Sequence, residues 1–392
     1  APFSPFSGKI GMVYGIILSP IHSIEKAGLL WMEIIMRLGI IGLPQSGKTT
    51  IFNALTRGDV PTDISGSRIE MHTAVIDVPD ERVTTLTEIY NPKKIVHAKV
   101  SYVDIAGLEG KKSQSGISGP LLNILSQMDG FIHVVRHFQN PSVPHIAGDV
   151  DPARDLANLE AELILNDLIL VERKLERLGE ERKRGGHGRK PIEIEHETEL
   201  FKKLDDLLSQ EIPLRNETFS DEEQKMLSSY GLLTRKPQLI VVNQSEEQSP
   251  IELETPFNQT RLICMPAKLE MDIAQLPPEE AGVFLEEYGI EEPSLDRFIR
   301  LSYELLGLIS FFTAGEKEVH AWTVSQGATA LEAAGTIHSD MEKGFIRAEV
   351  VHYDDLVALG SFSEARNHGK FRLEGKKYII QDGDVIVIRF NL

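Results

Sequence analysis

Gly42-Leu43-Pro44-Gln45-Ser46-Gly47-Lys48-Thr49 follows the pattern G-x-x-x-x-G-K-[ST], and the residues on either side give it meaning. Before it, Arg37-Leu-Gly-Ile-Ile reads as a short buried strand. After it, Thr50-Ile-Phe-Asn-Ala-Leu55 reads as the first turns of a helix. Strand, glycine loop and helix in that order form a phosphate cradle. The two glycines let the backbone turn tightly enough for its N–H groups to face a phosphate chain. The new helix adds unpaired N–H groups and the positive end of its dipole. Gly42 through Thr50 are therefore expected to line a nucleoside triphosphate. Lys48 would reach the β- and γ-phosphates, and the Thr49 hydroxyl would ligate Mg²⁺.

Three further segments fall where such a site needs them. Asp104-Ile-Ala-Gly107 closes a strand beginning at Lys99. Asp104 is expected to hold Mg²⁺ through water, and the Gly107 N–H to meet the γ-phosphate. The next residue is Leu108, where signalling GTPases place a water-orienting glutamine. A leucine cannot orient water, which excludes hydrolysis by that route. Asn243-Gln244-Ser245-Glu246 follows the strand Leu239–Val242, at the place where a GTPase reads guanine through N-K-x-D. Glu246 is one methylene longer than aspartate and Gln244 replaces the lysine, so guanine selectivity should be weak. Asn243 remains suited to the N7/N6 edge of adenine. Ala267 and Lys268, after the strand Arg261–Met265, fit the last loop on the base side.

The chain has 392 residues, enough for two or three domains. Its 41 Lys and Arg against 59 Asp and Glu give a net charge of −18, which excludes general coating of nucleic acid. Any RNA contact must come from a local basic patch. The single cysteine, Cys264, excludes an internal disulfide and fits a reducing cytoplasm; a small buried side chain is its plainest role. Gly11–Leu18 weakly resembles a secretory signal but is too short to span a membrane and lacks a cleavage pattern. Residues 1–35 are expected to be an extension outside the fold, poorly ordered or docked as a short helix near Ile24–Ile35.

Strand and helix alternate over residues 36–150 and resume at 236–305. Between them, Asp151-Pro152 opens a long helix whose Leu156, Leu159, Leu163 and Leu170 recur at helical spacing, beside a second stripe from Ile164 to Leu178. Glycines at 185, 186 and 188 break it. A second helix from about Ile192 carries Leu200, Leu204, Leu207 and Leu208, so residues 151–235 read as an inserted antiparallel coiled-coil hairpin. Arg182, Lys183, Arg184, Arg189 and Lys190 cluster at its tip, either as a solvated helix end or as a contact for RNA phosphates. From Leu306 onward, β-like runs at Glu318–Val324, Phe345–Val351, Tyr378–Ile380 and Val385–Phe390 surround a helix near Ala328–Ala334. Residues 306–392 read as a small α+β domain. The fold class is α/β: a P-loop NTPase G-domain with an inserted helical hairpin and a C-terminal module.

Taken together, these stretches resemble the YchF family of Obg-like ATPases. Its densest likeness is Leu305–Val319, continued through Ala334–His338, Phe345–Glu349 and Gln381–Asp384. The resemblance implies a C-terminal β-grasp TGS domain, and a cytoplasmic, ribosome-associated NTPase that favours ATP over GTP. It also implies a hydrophobic residue such as Leu108 in place of the catalytic glutamine. Two positions depart from the family pattern. Arg68 stands where the first switch carries a threonine, and Glu109–Ser118 is an altered version of a glycine-rich stretch. The leading expectation is thus a slow, monomeric ATPase acting as a conformational switch on the ribosome, with no membrane partner. The alternatives are a nucleotide-dependent ribosome- or RNA-binding module with negligible turnover, and a GTPase translation factor.

Overall fold

The computed structural model describes residues 36–58, 60, 71–105, 117–184, 188–251, 253, 261–287, 290 and 292–391. The expected helix near Ile24–Ile35 lies outside them.

In chain order, β1 (Arg37–Ile41) leads into α1 (Lys48–Thr56), followed by β2 (Met71–Asp77), α2 (Glu81–Tyr90), β3 (Ile95–Val96), β4 (Lys99–Ile105), α3 (Gly119–Ser126) and β5 (Gly130–Arg136). Next come α4 (Pro152–Lys183), α5 (Pro191–Ser209), α6 (Asp221–Leu227), β6 (Gln238–Asn243), β7 (Arg261–Met265), α7 (Ala267–Gln275), α8 (Pro278–Glu287) and α9 (Ser294–Leu305). The C-terminal part holds β8 (Leu308–Ala314), β9 (Val319–Ser325), α10 (Ala330–Ile337), α11 (Ser339–Lys343), β10 (Phe345–His352), α12 (Tyr353–Leu359), α13 (Phe362–Asn367), β11 (Arg372–Glu374) and β12 (Asp384–Phe390).

The first sheet has the order β2-β4-β1-β5-β6-β7. Every neighbouring pair is parallel except β2 against β4. β5 and β6 are buried along their whole length, as strands covered by helices on both faces must be. Ile41, Ile105, Asn243 and Met265 mark the C-terminal ends of these parallel strands, the edge at which an open parallel sheet places its ligand.

The second sheet has the order β11-β10-β12-β8-β9-β3. Its last strand comes from the N-terminal half of the chain: β3 lies parallel to β9, with Ile95 opposite Val319. One apolar core runs through both sheets, from Leu38 and Tyr102 through Phe298 to Phe312 and Val385. Phe298 stacks on Tyr102 with ring centroids 5.7 Å apart. Burying a phenylalanine as completely as Phe298 or Phe312 contributes about 1.5–3 kcal/mol. At the seam, Arg82 donates to Asp80 and Asp382 and lies 5.0 Å from the centroid of the Phe312 ring.

The hairpin begins at an N-cap. The Asp151 carboxylate accepts from the Arg154 N–H at 3.0 Å, and Pro152 takes the first helical position, where its missing N–H costs nothing. α4 and α5 pack through Ile164, Val171, Leu200, Phe201, Leu204 and Leu208. At its root the hairpin is closed on itself by charge and hydrogen bonds. Arg215 pairs with Glu160 of α4, both side chains 3% exposed. Asp167 accepts from the Leu233 and Thr234 N–H groups at 2.8 and 2.7 Å and from the Thr234 hydroxyl at 2.7 Å.

Tyr378–Ile380 is not a strand. Its hydrogen bonds go to the turn before α10, with the Ala330 N–H donating to Tyr378 O and the Ile380 N–H donating to Ala328 O, and Ile379 forms only an isolated bridge to Thr329. Ile380 is buried against α10, so its apolar character reflects packing rather than a ladder.

Candidate nucleotide site

β1 delivers the chain into a loop that only glycine can form at two points. Gly42 has φ 154°, and a Cβ there would lie 2.3 Å from the Val134 carbonyl oxygen. Gly47 has φ 98°, and a Cβ there would lie 2.1 Å from Asn243 Nδ2. Gly47 is the N-cap of α1 and offers no side-chain cap, so the first turn keeps N–H groups open to an anion. Gln45 also has positive φ, at 61°. Leu43, Pro44 and Ser46 complete the loop, and Thr50 continues α1.

Lys48 is 8% exposed. Its Nζ donates to the carbonyls of Gly42 and Leu43, each at 3.0 Å, which folds the side chain across the loop. The Thr49 hydroxyl donates to Asp104 Oδ2 at 2.9 Å and so joins α1 to the end of β4. Asp104 is 1% exposed. Burial raises its carboxyl above the usual range, opposed by the Thr49 hydrogen bond and the charges of Lys48 and His72. Asp104 Oδ1 is buried and has no hydrogen-bond partner among the described residues. A buried carboxylate oxygen beside a threonine hydroxyl is a donor set suited to a hard divalent cation and its water shell. Among the described residues no cluster of three or more His, Cys, Asp or Glu forms an all-protein metal cage. Mg²⁺ needs none, because it keeps waters and substrate phosphates as ligands.

On the base side, Asn243 is engaged with the protein's own backbone. Its Nδ2 donates to Ser46 O at 3.0 Å and its Oδ1 accepts from the Ala267 N–H at 3.2 Å. The amide therefore fastens the phosphate loop to the start of α7, and anchoring is the role its contacts show. Gln244 turns inward and donates to Gln248 O at 2.9 Å. Glu246 lies exposed in the turn that follows. Ala267 is fully buried. Lys268 pairs with Asp272 at 2.7 Å along the exposed face of α7. The structure thus brings Gly42–Thr50, Asp104, Asn243 and Ala267 together. Gly107, Leu108 and Arg68 lie outside the described residues.

Sequence reasoning missed what stands behind the loop. His133 of β5 is 1% exposed, and its Nδ1 lies 2.8 Å from Gln238 Nε2, so the amide donates and Nε2 carries the proton. Burial, with Arg215 and Lys48 adding like charge, pulls its pKa down to about 3. The folded protein therefore binds fewer protons here than the unfolded chain below pH 6.5, and stability is lost as pH falls through that range. Between pH 6.5 and 5.5, wild type should lose about 1 kcal/mol more than His133→Gln. Urea titrations at the two pH values measure this, and equal losses would show that His133 is protonated in the fold. No periodicity marks this histidine, because in sequence it is one polar residue in an apolar strand.

A glycine loop between strand and helix, an open helix N-terminus and a threonine–aspartate junction at the strand ends define a P-loop nucleoside triphosphatase of the GTPase type. Residues 37–174 match the family described as 50S ribosome-binding GTPase, and residues 308–391 match the YchF-type GTPase C-terminal family, described as a protein of unknown function. The chain belongs to the YchF family. It is 42% identical over 366 residues to the ribosome-binding ATPase YchF of Bacillus subtilis, covering 90% of this chain and 99% of that one. To its namesake in Escherichia coli O157:H7 it is 38% identical over 367 residues, covering 91% and 99%. The solved structure of the Schizosaccharomyces pombe YchF GTPase superposes with a TM-score of 0.78 at 33% identity, over 90% of this chain and 97% of that one.

Proposed function

We propose that the protein binds ATP, and secondarily GTP, hydrolyses it slowly, and acts as a ribosome-associated conformational switch, as a monomer in the cytoplasm. The observation that carries this reading is the Thr49–Asp104 junction at the mouth of an uncapped α1. It brings a hydroxyl, a buried carboxylate and free helix N–H groups to one point. The names of the bacterial relatives, ribosome-binding ATPases, supply the nucleotide and the partner.

In this reading the triphosphate takes over Lys48. The ammonium leaves the Gly42 and Leu43 carbonyls for the β- and γ-phosphates, while the N–H groups of Gly47 through Thr50 cradle the chain. Thr49 and Asp104 would hold Mg²⁺, Asp104 through water. When bound, the ion neutralises charge on the phosphates. Asn243 keeps the phosphate loop and the start of α7 in register, and the Ala267–Lys268 turn borders the base. Gly107 and Leu108 are assigned to the γ-phosphate side, with Leu108 in the position of a water-orienting glutamine. Rate enhancement then comes from positioning and charge stabilisation.

Titration with ATP and GTP analogues in the presence of Mg²⁺ tests the reading. ATP should bind more tightly, and Lys48→Ala should weaken it at least tenfold. Tighter GTP binding would give first place to a GTPase, and an unchanged affinity in the variant would refute the site.

At the hairpin tip the expected basic cluster is smaller than it looks in sequence. Arg189 reaches back to Glu181 at 3.3 Å and Glu197 at 2.8 Å, so it braces the tip. Arg184 pairs with Glu180 at 3.3 Å on the surface. Lys190 is exposed as the N-cap of α5. Arg182 and Lys183 are exposed, and among the described residues no carboxylate pairs with either. They are the best candidates for ribosomal RNA phosphates. Reversing both charges should weaken ribosome co-sedimentation and lower the slope of log affinity against log salt by about 1.5. An unchanged slope would exclude the tip.

A further inference from the structure

The chain between β5 and α4 reads as a polar connector, yet the structure folds it into a buried polar brace behind the phosphate loop. His145 and Asp155 meet there at 2.7 Å, with side chains 2% and 4% exposed. The Ala147 N–H donates to His145 Nδ1 at 3.1 Å, which leaves the ring proton on Nε2; Asp155 Oδ2 lies close to that nitrogen but takes no hydrogen bond among the described residues. The other Asp155 oxygen accepts from Arg154 Nε and Nη2 at 3.1 and 2.9 Å. Arg136, at the end of β5, donates to the carbonyls of Phe138 and Val143 at 3.2 and 2.7 Å and so pins the same connector.

Leu43, Pro44 and Ser46 of the phosphate loop and Arg136, His145 and Asp155 line one narrow crevice. The back of the cradle therefore rests on this brace. Ser46 Oγ and Arg136 Nη1 are buried without hydrogen-bond partners among the described residues. Asp155 belongs to the first turn of α4, so the crevice joins the phosphate loop to the root of the hairpin. A buried polar contact is weak evidence for stability, since packed apolar residues would serve as well. Its value lies in holding a geometry.

We propose that His145 and Asp155 are positioning residues for the nucleotide: they fix the wall against which Leu43–Ser46 sits, and through α4 they transmit loop position to the hairpin. Neither touches substrate. The inference rests on the ATP reading of the cradle.

The test is hydrogen–deuterium exchange on the full chain, with and without a non-hydrolysable ATP analogue, alongside steady-state kinetics. In wild type the analogue should slow exchange in the phosphate loop and also in the first turns of α4. His145→Phe, which keeps a ring and removes both ring nitrogens, should raise KM for ATP about tenfold with kcat changed less than threefold, and should abolish the α4 response. Asp155→Asn, which keeps an acceptor and loses the charge, should fall between the two. A purely structural role would lower the melting temperature while leaving KM and the α4 response intact, and that result would overturn the proposal. If His145→Phe does not fold, wild type alone decides: analogue binding with an unchanged α4 refutes the brace. Failure of the analogue to bind at all refutes the ATP reading instead.

Discussion

Arg215→Met is expected to lose about 3–5 kcal/mol of folding free energy, a large share of the roughly 5–15 kcal/mol that holds a typical domain. The substitution strands Glu160 in a site where it is 3% exposed. Burial already raises the Glu160 carboxyl and lowers the Arg215 guanidinium, and each is held against that by the other's charge. Arg215 Nη1 also donates to Thr234 O at 3.1 Å, so the variant loosens the strip on which Asp167 is seated. The double variant Glu160→Met/Arg215→Met should recover most of the loss, because it removes the unpaired charge along with the pair. Urea unfolding of wild type, both single variants and the double variant closes the cycle. A single-variant loss under about 1 kcal/mol would mean that water already reaches the pair.

Gly47→Ala should cost about 100-fold in affinity for an ATP analogue, equivalent to about 2.7 kcal/mol, while the protein stays folded. Two effects combine. Alanine is strained at φ 98°, and its Cβ would fall 2.1 Å from Asn243 Nδ2. Relief requires moving Asn243, which releases both Ser46 and Ala267. Gly148→Ala is the matched control. It also sits at positive φ, 87°, but a Cβ there meets nothing within 4 Å. It should show the backbone strain without the binding loss. Affinity within threefold of wild type in Gly47→Ala would show that the loop is free to rearrange around Asn243.

The phosphate loop was legible because it is local: two glycines, a lysine and a threonine between a strand and a helix need no distant partner to be recognised. The hairpin was legible for a similar reason, since its apolar stripes repeat at the helical period. Asn243 is legible in position but not in its contacts. Its bond to Ser46 spans 197 residues, and nothing within the segment says which way the amide points. Arg189 was read as part of a basic cluster because sequence shows neighbours along the chain, whereas its partner Glu197 faces it across the turn. The brace of His145 and Asp155 is not legible for the opposite reason: one polar residue in a polar connector and one acid in a helix's first turn carry no pattern until the sheet end folds over them.

The two-residue strand β3 sets a timetable for synthesis. Lys94, which leads into it, is bonded to Glu318, 224 residues further on. At roughly 5–20 residues per second the ribosome needs about 10–45 s to deliver the strand that pairs with Ile95 and Val96. Throughout that interval β3 has no partner while the rest of the first sheet is being made, and Ile95 stays 46% exposed even after pairing. A nascent chain arrested before Val319 would carry this unpaired strand permanently, along with a core cut through its middle. Quality-control machinery would meet it as an unfinished protein, whatever the state of its phosphate loop.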